Sequence, residues 1–129
     1  MKKRFSILLV GFALMLASLT TGYNLDAVLN SLKRGNSAGI ARYFDSRVDI
    51  TLPNKADNYS KNQGELVLRE FFSNNPVKNF ELKHKGEIKG AQFCIGSLQT
   101  ANGNFRTKIY MRRKGDADLI QEIAFENEN

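Results

Sequence analysis

At 129 residues, with 42% hydrophobic and 25% charged side chains, the chain is long enough for one globular domain and too short for two. Two prolines, ten glycines, no tryptophan and a single cysteine exclude a collagen-like repeat, a disulfide framework and a Cys-rich zinc module. The formal charge is +6 and there is one histidine, His84, so a His/Cys metal centre, a Cys-His pair and any Ser-His-Asp triad not built on His84 lack their residues.

The chain opens with Lys2, Lys3 and Arg4, an apolar stretch from Phe5 to Ala17, and then small or polar residues from Ser18 to Gly22. That is the layout of a secretory signal peptide over residues 1–22, leaving one domain over 23–129. The apolar run is shorter than the ~20 residues a spanning helix needs, and no cysteine follows it to carry a lipid. An exported protein, periplasmic or secreted, with no stable membrane anchor after cleavage is therefore expected. Beyond the signal, sixteen bases face thirteen acids, a net +3 with the signs interspersed, so nucleic-acid binding is not expected.

Asn24 is placed to cap a helix whose apolar residues Leu25, Val28, Leu29 and Leu32 recur at helical spacing and which stops at Gly35. A short second helix is expected over about Ser37 to Phe44, capped by Asn36 or Ser37. Val48 to Leu52 alternates as a strand, Pro53 to Asn58 carries turn residues, and Tyr59 belongs to a short returning strand. Ser60 and Gln63 form a capping box for a third helix through Phe72, which Asn74, Asn75 and Pro76 end.

From Asn79 the apolar period falls to two and turn signals divide the remainder into four strands. A type I′ turn at Asn102-Gly103 pairs Leu98 with Thr107 and Cys94 with Met111. A five-residue loop from Lys114 to Asp118 pairs Ile109 with Ile123 and Arg106 with Glu126. Cys94, Leu98, Phe105, Ile109, Met111, Ile123 and Phe125 then share an inner face, where Cys94 reads as a buried, inert thiol. For the first hairpin, a three-residue loop Ile88-Lys89-Gly90 places Phe80, Leu82 and His84 on that face; a two-residue loop at Lys89-Gly90 instead turns His84 outward, opposite Ile95. The three-residue loop is preferred because the alternative strands Lys83 and Lys85 inside. The outer face reads as a salt-laddered surface, on which Phe93, Ile95, Tyr110 and Ile120 form an apolar cluster suited to a homodimer or a protein partner.

The expected class is thus α+β, a curved, mainly antiparallel sheet of a hairpin plus a four-stranded meander wrapped on three N-terminal helices. This order of elements resembles the cone-shaped, cystatin-like fold of nuclear transport factor 2 and ketosteroid isomerase. More closely, Leu52-Pro53-Asn54-Lys55, Tyr59-Ser60-Lys61-Asn62-Gln63 leading into Leu66 and Phe71-Phe72, His84-Lys85-Gly86, Ile95-Gly96 and Asn102-Gly103-Asn104-Phe105-Arg106 are similar to a secreted bacterial family known as domain of unknown function 4783. The resemblance spans about residues 24 to 126 and implies export and the cone fold, without a chemistry.

The cone fold commonly holds a pocket between sheet and helices, and its ketosteroid-isomerase branch uses a carboxylate base beside a tyrosine and a second acid. Here the inner strand face carries no Asp or Glu, and Tyr110 points outward. Pocket candidates are His84, Phe80, Phe72, Tyr43, Leu98 and Met111, with Asp49 and Tyr59 as further groups for the mouth; interface candidates are Phe93, Ile95 and Tyr110. No catalytic residue, metal ligand or cofactor is assigned. Non-catalytic binding of a small apolar ligand or a protein partner is expected, with an enzyme acting on a small apolar substrate or a structural, assembling subunit as alternatives.

Overall fold

The computed structural model describes residues 23–128, so the proposed signal segment lies outside the described residues. The elements in chain order are α1 (Tyr23–Lys33), α2 (Ser37–Ala41), β1 (Phe44–Leu52), β2 (Lys55–Ser60), α3 (Lys61–Asn74), β3 (Val77–Ile88), β4 (Ala91–Thr100), β5 (Gly103–Lys114) and β6 (Ala117–Asn127). Six strands form one sheet in the order β2-β1-β6-β5-β4-β3. Every neighbouring pair is antiparallel except β1 and β6, whose parallel pairing joins the N-terminal hairpin to the meander. The α+β class and the element order are those read from the sequence. Among the described residues no helix is long and apolar enough to cross a membrane.

Helix α1 buries Leu25, Val28 and Leu32, and the chain leaves it through Gly35 at φ +62°. Asn24 is not its cap: it lies within the helix, and its side-chain amide donates to the Asp118 carbonyl at 3.3 Å. In α2 the cap is Asn36, whose Oδ1 accepts from the Gly39 N–H at 3.0 Å. This helix ends at Ala41, short of the expected Phe44, because the Tyr43 carbonyl accepts from the Ile120 N–H at 2.7 Å and draws the chain into the sheet. Strand β1 accordingly begins at Phe44, four residues before Val48. Ser60 caps α3, accepting from the Gln63 N–H at 3.3 Å, and the helix buries Leu68, Phe71 and Phe72.

Most of the expected inner face is buried, with Phe80, Cys94, Leu98, Phe105, Ile109, Met111, Ile123 and Phe125 in the core, but Leu82, also expected there, is 41% exposed. The strand pairings differ in three places. Asn102-Gly103 is not a type I′ turn; the turn residues are Ala101 and Asn102, with Thr100 opposite Gly103, so Leu98 faces Phe105 and Cys94 faces Ile109. The Thr100 hydroxyl decides this by accepting from the Asn102 N–H at 3.1 Å and donating to the Gly103 carbonyl at 2.6 Å, while Gly103 takes φ +111°. The slip is two residues, so every side chain keeps its face.

The β5–β6 connection is a two-residue turn at Gly115-Asp116, not a five-residue loop. A bulge at Gln121 restores the expected pairs Ile109–Ile123 and Arg106–Glu126. The same bulge reverses the alternation beyond it, turning Ile120 inward to full burial in place of its expected outer position.

In the β3–β4 hairpin both readings occur in one strand. Lys89 and Gly90 make a two-residue turn with positive φ at both positions, so Lys85 faces Cys94 and His84 faces Ile95. Past a bulge at Lys83 the pairing shifts by one, giving Leu82 opposite Gly96 and Phe80 opposite Leu98. His84 is therefore exposed on the outer face and not among the inner residues where it was expected. Bulging out Lys83 lets the strand keep Phe80 inside, while Lys85 near the hairpin end stays exposed.

Candidate functional site

Among the described residues the inner face of the sheet is filled by side chains. Phe80, Leu98 and Met111, three of the pocket candidates, are at most 2% exposed in the core, and Phe72 packs beside them. The reason lies in the register. At Gly96 an added Cβ would stand 2.4 Å from both the Glu81 carbonyl oxygen and the Phe80 ring, so the ring fills the space that a side chain on β4 would occupy. His84 is on the opposite face of the sheet. Tyr43 is half-buried and borders a separate hollow of about 300 Å³ between α1 and α2, together with Asp26, Ser31 and Arg34. The six pocket candidates therefore do not come together as one site.

A concavity of about 600 Å³ lies between α3 and the β1–β2 hairpin. Helix α3 supplies one wall: Val67, Glu70, Phe71 and Asn74 follow the i, i+3, i+4, i+7 spacing and lie on one stripe. The β1–β2 hairpin supplies the other, with Leu52 at the end of β1, Asn54 in the turn, and Lys55 and Tyr59 on β2. Phe105 on β5 and Asn127, its partner on β6, complete the lining. Tyr59 is the one member of this set that the sequence marked for the pocket mouth.

The floor is aromatic. Phe71 meets Phe105 edge-on at a centroid separation of 5.1 Å and Phe125 at 4.8 Å, and Phe72 meets Phe125 edge-on at 6.0 Å. These rings separate the cleft from the closed core below. Around the rim stand the amides of Asn54, Asn74, Asn75 and Asn127 with Glu70 and Lys55. Asn75 is held in place by its Nδ2, which donates to the Phe71 carbonyl at 3.0 Å. Sequence reasoning passed over these residues because each has a local explanation: Asn54 follows a proline in a turn, and Asn74 and Asn75 end a helix. The signal that could have exposed them is the stripe Val67, Glu70, Phe71, Asn74, which is not fully apolar and so is not wholly a core face.

Titratable groups with displaced pKa values lie elsewhere. Asp45, on the β1–β6 seam, is held at about 2, first by the hydrogen bond from the Lys114 ammonium at 2.5 Å and next by the Gln121 amide at 2.9 Å. Burial pushes the Cys94 thiol up to about 11, which makes it a packed, unreactive group. Asp49 points away from the cleft and accepts from the Asn58 amide at 2.7 Å. Among the described residues no group of three or more His, Cys, Asp or Glu side chains is placed to hold a metal ion. The cleft can therefore grip and orient a molecule through amides and an apolar floor, with Glu70, Lys55 and Tyr59 as its ionisable groups.

On the outer face, Phe93 pairs with Tyr110 across β4 and β5, and Ile95 stands between His84 and Lys108. All three interface candidates are half-buried. Part of that burial is internal, since the Phe93 ring lies over Gly86, where an added Cβ would come within 2.5 Å of it. Arg106–Glu126 at 3.9 Å and Lys108–Glu122 at 3.2 Å form the expected charge ladder, each pair well exposed and worth little.

No curated protein matches the chain. Among solved structures it is similar to a protein of the same family from Bacteroides uniformis, with 33% identity and a TM-score of 0.78 over 81% of this chain and 96% of that one. A cystatin-like domain from Nostoc punctiforme (9% identity, TM-score 0.65, 88% of this chain and 78% of that one) and an NTF2-like protein from Cytophaga hutchinsonii (7%, 0.58, 81% and 87%) share the fold alone. The family model described as domain of unknown function DUF4783 matches residues 25–126, nearly the whole described chain, and the protein belongs to that family, with an NTF2-like fold.

Proposed function

We propose that the domain is an exported, non-catalytic binding module that holds a small molecule in the cleft between α3 and the β1–β2 hairpin. The observation that carries this reading is the contrast in one place between a sealed aromatic floor and an open, polar-rimmed hollow of about 600 Å³, within the size range of small-molecule sites. The amide-rich rim changes the expected ligand from purely apolar to one with polar edges. Export is supported by the basic start and short apolar run, and the exported form should begin near Thr21 to Tyr23 by intact-mass analysis. Native mass spectrometry of the exported protein should reveal a companion mass that Val67→Trp, which fills the cleft from its α3 wall, eliminates. A companion mass retained by that variant, or none in either protein, overturns the reading.

The outer sheet face favours a second reading, self-association. Phe93, Ile95 and Tyr110 form a contiguous half-buried patch within a charged rim. Ile95→Lys should then shift a sedimentation profile from dimer to monomer with the fold retained; a monomeric wild-type protein at high concentration ends this reading.

A further inference from the structure

The polar groups of the mouth cleft are mainly side-chain amides, and they converge from separate parts of the chain. Asn54 comes from the β1–β2 turn, Asn74 and Asn75 from the C-terminal end of α3, and Asn127 from the end of β6. Each amide presents two N–H donors and a carbonyl acceptor on one planar group, so it can both give to and take from a single hydroxyl-bearing ligand. Two of the four are anchored. Asn75 spends a donor on the Phe71 carbonyl at 3.0 Å and keeps its Oδ1 as an acceptor. The backbone under Asn74 is fixed by the Asn102 amide, which donates to the Asn74 carbonyl at 2.5 Å. Asn54, Asn74 and Asn127 are exposed, so their amides stand in water until something replaces it.

Charge and floor narrow the choice. Glu70 and Lys55 are the charged groups of the lining and carry opposite signs, so the cleft has no net formal charge with which to draw an ion. A wholly apolar ligand would strip water from the amides and return no hydrogen bond. An extended peptide is held chiefly by main-chain ladder bonds, whereas here the polar groups are side chains set around a rim. A pyranose ring offers hydroxyls at its edge and a C–H face that can rest on the small exposed parts of Phe71 and Phe105. Taking the cleft as the binding site proposed above, we infer that its ligand is an uncharged polyhydroxylated molecule, a mono- or oligosaccharide.

The test is a titration of the exported protein, followed by nitrogen-15 correlation spectra that include the asparagine side-chain amides. The probes are maltose, cellobiose, lactose and diacetylchitobiose as neutral saccharides, glucuronate as an anion, tetraglycine as a peptide, and N-phenyl-1-naphthylamine as a neutral apolar compound. At least one neutral saccharide should move the amide signals of Asn54, Asn74 and Asn127. Asn74→Leu and, separately, Asn127→Leu should weaken it at least about tenfold while leaving N-phenyl-1-naphthylamine binding equal or tighter. If the apolar compound, the peptide or glucuronate perturbs the cleft and no neutral saccharide does, the ligand class is wrong and the site stands. If no probe perturbs the cleft, the inference and the site assignment beneath it both fall.

Discussion

Helix α3 turns two adjacent faces to opposite surroundings. Leu68 and Phe72 point into the sealed body of the cone, where Phe80, Leu98, Met111 and Ile123 leave no room, while Val67, Glu70, Phe71 and Asn74 border the open mouth. A rotation of roughly 100° per residue about one helix axis thus separates packing from recognition. Phe71 belongs to both, because it lines the cleft and also contacts Phe105 and Phe125 beneath it. Openness in this cone is therefore decided by side-chain size at a few register positions and not by the backbone path.

The change that should break this division most is Phe71→Ala. It removes a ring 7% exposed with three aromatic partners, Phe72, Phe105 and Phe125, and joins the cleft to the interior, at a cost of about 3–5 kcal/mol measured by urea denaturation. Next comes Gly96→Ala on the sealed side, where the obstacle includes the Glu81 backbone and cannot step aside. We expect a loss near the upper end of about 1–3 kcal/mol, with the mouth unaltered.

The seam that closes the body is also held by charge. Because the Asp45 pKa is lowered from 3.8 to about 2, its contribution is fully present above pH 4 and is lost as pH falls toward 2. Asp45→Asn should cost about 1–2 kcal/mol at neutral pH, discounted because Lys114 is half-exposed, and should flatten the acid-unfolding curve between pH 4 and 2. The smallest effect belongs to the mouth. Asn74→Ala should change stability by less than about 0.5 kcal/mol, since the side chain is exposed at a helix end. A loss comparable with that of Gly96→Ala would mean that the rim is structural and the comparison is wrong.

The fold was legible in the sequence because its strongest signals are periodic. Leu25, Val28 and Leu32 marked a helix face, and the two-residue alternation from Phe105 to Phe125 identified the inner face even though the Ala101-Asn102 turn shifted one hairpin by two positions. Bulges are what periodicity cannot carry. Lys83 and Gln121 each insert one unpaired residue, and each reverses the alternation on one side of itself, which sent His84 outward and Ile120 inward. The candidate site was hidden for a different reason. Asn54, Asn74 and Asn75 serve as turn and helix-end residues, and a local role that suffices to explain a residue conceals its place in a tertiary hollow.

The parallel seam between β1 and β6 has a consequence for the order of assembly. The hairpins of the meander join strands adjacent in the chain, whereas the Asp45–Gln121 contact closes a separation of 76 residues. Long closures are entropically costly and are made late unless earlier contacts shorten them. The meander should therefore be the first structured unit, with β1 docking on its β6 edge near the end of folding. Stopped-flow measurements on Asp45→Asn would then find faster unfolding and an almost unchanged refolding rate, the signature of a contact absent from the transition state.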